Sequence, residues 1–461
     1  MKPLDIPILK RRRFLVGAGA ALGSLAFRDL LHADSGTAPL AVRAPHFPVR
    51  AKRVIQFFLN GGPSHLDTFD PKPLLAKYAG KPLPSGHLAT ERRTGGAFPS
   101  PFKFRPRGQC GAEVSELFER TAEHIDSIAV VRSMKANLPN HEPSLLLMNC
   151  GNPIQSRPSM GSWVTYGLGS ENQNLPGFIV LCPRGLPIKE HENWQAGFLP
   201  GAFQGTFIDS QHTAVEKLIE NIHNPRTSLE QQRRQLDLLR RLEAERVAGT
   251  GRDAFLEARM QSFELAYRMQ MEASEAFDLS REPASIRALY GETIHGNQTL
   301  IARRLIERGV RYVQLWHGAA QPWDNHENLE SEHRKLSREI DQPIAALLTD
   351  LKQRGLFDET LILWGGEFGR TPTTEGSNGR DHNPYGFTVW LAGGGIKGGV
   401  VHGATDDFGF QAVSEPVHVH DLHATLLHAL GFDHERLTYR YAGRDFRLTD
   451  VEGHVVRNLL A

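Results

Sequence analysis

Six near-continuous apolar runs constrain this chain more than any other feature: RVIQFFL at 53–59, SIAVVR at 127–132, GFIVLC at 177–182, VRYVQLW at 310–316, TLILW at 360–364 and FTVWLA at 387–392. Each has the length of a strand, is rich in β-branched and aromatic residues, and lacks the apolar–polar alternation of a sheet with one wet face. Patterns of helical period separate them. Strands buried on both faces and alternating with helices predict an α/β fold, a doubly wound, mainly parallel sheet. The helix before TLILW is the best marked: Leu336, Ile340, Ile344, Leu347, Leu348 and Leu351 form one stripe at three- and four-residue spacing. Gly355 stands just past its end, and Pro343 inside it predicts a kink. Residues from about 212 to 290 read differently. They are rich in Glu, Gln, Arg, Leu and Ala and predict a helical hairpin inserted into the α/β body, its charge runs forming solvated faces.

The ends of the chain bear on where it works. KRRRFLVGAGAALGSLAF sets a basic cluster before fourteen uncharged residues, Phe14 to Phe27, too few for a membrane span and suited to the apolar region of an export signal. Arg11-Arg12 followed by Phe14-Leu15 resembles a twin-arginine signal, so residues 1–33 are expected to direct the folded chain out of the cytoplasm, to a periplasmic or other extracytoplasmic location. Residues 34–52 read as a linker and 53–461 as the α/β body, with no second span. Formal charge is +1, and residues 1–33 contribute +4 of it, leaving the remainder near −3. No basic stripe is interleaved with aromatics, which excludes a nucleic-acid binder. Cys110, Cys150 and Cys182 are three and widely spaced, without a CxxC pair, and read as small buried hydrophobes, one bridge remaining open.

The segments just past the strands carry the chemistry. In open α/β sheets, ligands bind beyond the carboxyl ends of the strands. After the first run come Asn60-Gly61-Gly62, then His65, Asp67 and Asp70; after VRYVQLW come His317 and Trp323-Asp324-Asn325-His326; after TLILW comes Gly365-Gly366-Glu367-Phe368-Gly369-Arg370; and Gly379-Arg380-Asp381-His382 stands just before FTVWLA. Carboxylates and imidazoles recur at the same kind of place from distant segments. Asp324 and His326, two apart in an extended stretch, would point the same way. An oxygen and an imidazole suit zinc first, with manganese, calcium or iron also admissible, and a third ligand such as His382 would leave a position for water or substrate. Arg370 and Arg380 could clamp an oxyanion or pair with Glu367 and Asp381. Asp67 or Asp70 could instead cap a following helix.

FFLNGGPSHLDTFDPKP, NHEPSLLLMNCG, RPSMGSWVTYGLGSENQNLPGF, NWQAGFLPGAFQGT, WDNHENL, GGEFGRTP, GRDHNPYGFTVWLAGGGIKGG and DLHATLLHALGFD together resemble the exported family of domain of unknown function 1501, over nearly the whole chain. That family is similar to the sulfatases and the alkaline phosphatase superfamily, and the resemblance implies an α/β sandwich with two divalent metals. Carried onto this sequence, it places Asn60 where the first strand normally ends in a metal-binding Asp, and His141 or Ser144 where a nucleophile starts a helix. One metal position would be formed by Asp324, His326 and His382. The other would be depleted, keeping Glu367 and Asn60, and His65 and Asp67 are expected to help rebuild it. Two functions remain open. The first is an exported metal-dependent hydrolase of sulfate or phosphate esters, with Arg370 or Arg380 stabilising the anion, acting on a small ester or a sulfated or phosphorylated glycan. The second is a non-catalytic protein on the same fold that recognises a glycan, an anionic ligand or a protein partner. No Cys lies in a CxPSR-type stretch; CPRG at 182–185 is a faint echo. Oligomeric state is not legible in the sequence.

Overall fold

A computed structural model describes residues 39–461, apart from 85, 87, 155–156, 220–223, 225 and 252. The signal-like segment lies outside the described residues. The strands of the main sheet are β1 (Arg53–Phe58), β2 (Ile128–Lys135), β3 (Phe178–Cys182), β4 (Thr206–Asp209), β5 (Tyr312–Trp316) and β6 (Thr360–Gly365). A hairpin of β7 (Gly369–Glu375) and β8 (Gly379–Asn383) follows outside it, then β9 (Phe387–Ala392), β10 (Val400–His402) and β11 (Val417–His418) return to it. The order across the sheet is β10-β2-β9-β6-β1-β5-β3-β4, with β11 pairing on β2. Every pairing is parallel except those of β9, which runs antiparallel to β2 and β6. The mainly parallel α/β sheet expected from the apolar runs is therefore present, with β1 in its middle.

Period-two alternation divides β1 between two cores. Ile55 and Phe57 pack with α5 (Ile294–Glu307) and α6 (Leu329–Gln353), through Ile301, Leu305, Ile340, Ile344 and Leu347. Val54 and Phe58 face α1 (His141–Cys150), α2 (Met160–Leu168) and α7 (Val419–Ala429), through Leu145, Trp163, Val164 and Leu426. The α6 stripe is buried along its length, and Pro343 sits inside the helix without ending it. Within the 212–290 segment, α3 (Leu229–Thr250) and α4 (Ala254–Phe277) pack on one another, Arg233 pairing with Glu264 at 3.0 Å. Leu40 and Ala51, in the stretch read as a linker, are buried against the body. The cysteines are unbridged, and Cys110 is exposed rather than buried. Among the described residues no helix is long and apolar enough to cross a membrane.

Candidate metal centre

Register sets the geometry of the site. Phe58 of β1 pairs with Trp316 of β5 and with Gly365 of β6, so three central strands end level with one another. Beyond β1 the chain turns through Gly61 and Gly62, at φ +108° and +74°. A Cβ on Gly61 would lie 2.5 Å from the backbone nitrogen of Asp324, and one on Gly62 would lie 2.8 Å from the ring of Phe368. The first strand ends in two glycines because its backbone passes against the loops that carry the acids. That approach lets the Gly61 N–H donate to Glu367 Oε1 at 2.9 Å.

Asp324 is the centre of convergence. Its Oδ1 lies 3.2 Å from His141 Nε2, 2.9 Å from His326 Nε2, 3.1 Å from His382 Nε2 and 2.7 Å from Arg370 Nη2. The far nitrogen of each imidazole meets an acceptor. His141 Nδ1 is 2.7 Å from Glu367 Oε1, His326 Nδ1 meets Glu375 Oε2, and His382 Nδ1 lies 2.6 Å from Glu91 Oε2 and 2.7 Å from the Pro139 carbonyl. Carboxylates and carbonyls only accept, so each Nδ1 must carry its proton. In a neutral ring the Nε2 is then a bare lone pair facing a carboxylate oxygen, an arrangement that repels unless a proton or a metal ion lies between. Orienting a ring through its second nitrogen in this way is how metal-binding histidines are held. Nε2 of His141 and of His326 are buried without a hydrogen-bond partner. The donor atoms of His141, Asp324 and His382 lie within 4.8 Å of one another, as do those of His326, Asp381 and His382. Three imidazoles and one carboxylate fit a divalent cation of the zinc class.

The electrostatics express the same convergence. Burial opposes charge on His141, yet the carboxylates of Asp324 and Glu367 outweigh it and raise its pKa; His326 is raised similarly, by Asp324 and Glu375 against burial. His382 goes the other way: burial lowers it to about 3, despite Asp324, with Arg370 and His141 pushing in the same direction as burial. Burial would raise Asp324, but His141, His326, His382 and Arg370 hold it far below the usual carboxylate range. Glu367 is fully buried, and its Oε2 has no partner.

Not every expected residue reaches this cluster. His65 and Asp67, expected to rebuild a second metal position, are engaged elsewhere. His65 Nε2 donates to the Gly409 carbonyl at 2.8 Å, while Asp67 accepts from Arg380 Nε at 2.8 Å and from Ser64 Oγ at 2.5 Å. Both sit on a single helical turn, His65–Thr68, that carries them away from the strand end. Arg380 is completely buried on Asp67 and the Thr371 carbonyl, so it is not free to clamp an anion. Arg370 is equally enclosed, donating to Asp324 and to the carbonyls of Gly61, Gly62, Trp323 and Arg380. Ser144 Oγ donates to the Leu138 carbonyl at 2.7 Å, one turn along α1 from His141, and is not poised as a nucleophile. Asn60 holds the loop after β5 through Nδ2, at 2.9 Å from the Gly318 carbonyl and 2.6 Å from that of Ala320, leaving Oδ1 buried without a donor. Glu91, Glu375 and Arg92 join the site without any mark in the sequence. They lie outside the strand-end motifs, and nothing in their local sequence sets them apart. Arg92 pairs with Glu375 at 3.0 Å, its side chain 54% exposed at the edge of the cluster.

A doubly wound α/β protein with a histidine–carboxylate centre at the carboxyl edge of its sheet is the class these features define. The chain belongs to the family described as protein of unknown function (DUF1501), whose model matches residues 51–460. Among solved structures it is similar to the PsFucS1 sulfatase from Pseudoalteromonas sp., at 12% identity and a TM-score of 0.37, over 84% of this chain and 69% of that one. It is also similar to the lipoteichoic acid synthase LtaP from Listeria monocytogenes, at 8% identity and a TM-score of 0.35, over 86% and 76% of the two chains. A TAB5 alkaline phosphatase mutant with Mg bound in the M3 site aligns at 9% identity and a TM-score of 0.33, over 75% and 92%. No curated protein matches the sequence. The chemistry of the cluster, rather than these distant likenesses, bears on function.

Proposed function

We propose that this protein is an exported, metal-dependent hydrolase of phosphate or sulfate esters. The observation that carries the reading is the meeting of three Nε2 atoms, each with its Nδ1 held by an acceptor, on one oxygen of Asp324. Asp324, His141, His326 and His382 would hold the ion, and zinc suits that donor set best. When bound, it would supply Lewis-acid charge to an ester oxygen. Glu367 fixes the ring of His141, and Glu375 that of His326. Arg370, bonded to Asp324 and four carbonyls, orients the carboxylate rather than meeting substrate. Arg92, exposed beside the cluster and paired with Glu375, would meet the anionic part of an ester. Among the described residues no hydroxyl or thiol hydrogen-bonds to the side chain of Asp324, His141, His326 or His382, and water would be the attacking group. Its oxygen would bond to phosphorus or sulfur while the ester bond breaks, and the proton given up by the water would pass to the departing oxygen.

That missing nucleophile also favours a second reading, a non-catalytic protein that uses the same centre to hold an anionic ligand. Metal content and turnover of an aryl phosphate and an aryl sulfate, measured on the purified chain supplied with zinc, separate the two. Hydrolysis of either ester, lost together with bound metal in Asp324→Asn and His382→Ala, is the expected result. Metal held in stoichiometric amount with no turnover would favour the binding protein. A chain that takes up no metal would sink both.

A further inference from the structure

A second cluster stands outside this centre, on the helical side of β5. His317 follows that strand directly, His295 is the second residue of α5, and Glu339 lies midway along α6. Their donor atoms fall within 4.8 Å of one another. Glu339 Oε2 is 3.0 Å from His317 Nε2 and 3.5 Å from His295 Nε2, and the rings are 4.4 Å apart, centre to centre. Both imidazoles are buried, whereas the Glu339 side chain is 30% exposed, which gives the cluster one open side.

The informative atom is Nε2 of His295. Its Nδ1 faces Gln298 Oε1 at 3.1 Å. Which end of that amide faces the ring is fixed by its other end, since Gln298 Nε2 donates to the Leu181 carbonyl at 2.9 Å and to the Trp316 carbonyl at 3.0 Å. With the amide nitrogen on two carbonyls, the oxygen must be the group that faces His295, and it can only accept. The proton of a neutral ring therefore sits on Nδ1. Nε2 is left as a lone pair aimed at a carboxylate oxygen, the arrangement repeated three times around Asp324. His317 is not fixed in this way, its Nδ1 being buried without a protein partner.

We propose that His295, His317 and Glu339 form a second, separate site for a divalent transition-metal ion of the zinc class, with Gln298 as the residue that orients its first ligand. Two imidazoles and one carboxylate make a three-ligand set, and the open side at Glu339 admits water as a fourth. The site braces the root of the loop that carries the first centre. His317 begins that loop and Asp324 and His326 end it, while Trp323 lies edge-on to His317 at 5.5 Å and to His333 at 5.1 Å. The proposal is independent of the hydrolase reading.

Zinc titration of the metal-stripped full chain tests it, with elemental analysis of the reloaded protein. The His382→Ala variant weakens the first centre, so that the second can be counted alone. In that background zinc binding is expected to persist, and adding Glu339→Gln, a change at a partly exposed position that preserves the fold, is expected to remove one equivalent or weaken its binding at least about tenfold. His295→Gln should do the same where it folds. In the otherwise unchanged chain, Glu339→Gln is expected to shrink the zinc-induced rise in thermal midpoint. Stoichiometry and affinity unchanged by Glu339→Gln would overturn the site. So would an absence of zinc uptake by the His382→Ala chain, with nitrogen NMR of His295 showing only an imidazolium that shares a proton with Glu339.

Discussion

Two stretches of this molecule carry the same kinds of side chain just past a strand, and only one of them converges on a histidine–carboxylate cluster. WDNHEN, after β5, sends Asp324 and His326 to a point that His141, His382 and Arg370 also reach. SHLDTFD, after β1, carries His65, Asp67 and Asp70, yet each of these side chains is tied into the fold elsewhere. Asp67 is locked to Arg380 with both side chains fully buried, His65 is tied to the Gly409 carbonyl, and Asp70 accepts from Thr405 and pairs with Lys72 at 3.1 Å. Residue type and strand-end location are common to both stretches. What separates them is where the second polar atom of each side chain goes. In the centre, Nδ1 is held from behind and Nε2 is aimed at an acceptor; in the other stretch, Asp67 and Asp70 face cations, and His65 is held through Nε2 with Nδ1 left buried and unpartnered.

The largest effect that could break this contrast is on the Asp67–Arg380 pair. Burial would raise the Asp67 pKa, but the guanidinium outweighs it, so the pair is charged in the folded chain. Asp67→Ala would strand a buried guanidinium and is expected to cost about 3–5 kcal/mol of stability. Bound metal per folded chain should stay the same. Denaturant unfolding and elemental analysis of one preparation read both quantities. Metal lost in proportion, with the fold intact, would return Asp67 to the set of ligands.

A smaller effect sharpens the contrast at Asn60, which stands just past the end of β1. The amide donates to two carbonyls of the β5 loop, and a carboxylate cannot. Asn60→Asp is expected to lose about 1–3 kcal/mol, because two carbonyls lose their donor and face an anion instead. It should gain no metal. An extra equivalent in the variant would show that this position is a ligand in waiting rather than a clamp on the loop.

These residues also mark how far the sequence could be read. Continuous apolar strands and the Leu336–Leu351 stripe predict the sheet and its covering helices because burial on both faces leaves a direct imprint on composition. That Asp324, His326, Glu367 and His382 would lie near one another was legible because a parallel sheet delivers its strand ends to one edge. His65 and Asp67 were grouped with them for the same reason, and the structure places them with other partners. Location after a strand was visible, whereas Arg380 and Gly409, more than three hundred residues away, were not visible as their partners. Glu91 and Glu375 escaped notice because residues that hold a ring from behind need no motif, only proximity. Gln298 is an extreme case, since an amide in a helix becomes informative only when the carbonyls on its other side are known.

The smallest effect concerns acid, and it reads the same contrast from the other stretch. His65 is completely buried, and burial lowers its pKa from 6.5; Asp70 pulls upward, while Lys72 and Arg380 oppose a charge. Its Nε2 already donates to Gly409, and Nδ1 has no partner, so protonation would add a buried cation with nothing to receive it. The unfolded chain takes up that proton near pH 6.5 and the folded chain only lower. Stability from this group is therefore complete above pH 6.5 and is lost as pH falls, by about 1.4 kcal/mol per unit while the two states differ by one proton. His65→Gln keeps an amide donor for Gly409 and removes the titration, so its stability should fall less steeply with acid than that of the unmodified chain. Parallel acid limbs in denaturant titrations of the two proteins would mean that His65 already carries charge when folded, and the distinction between an imidazole engaged by the fold and one aimed at a cation would fail at this residue.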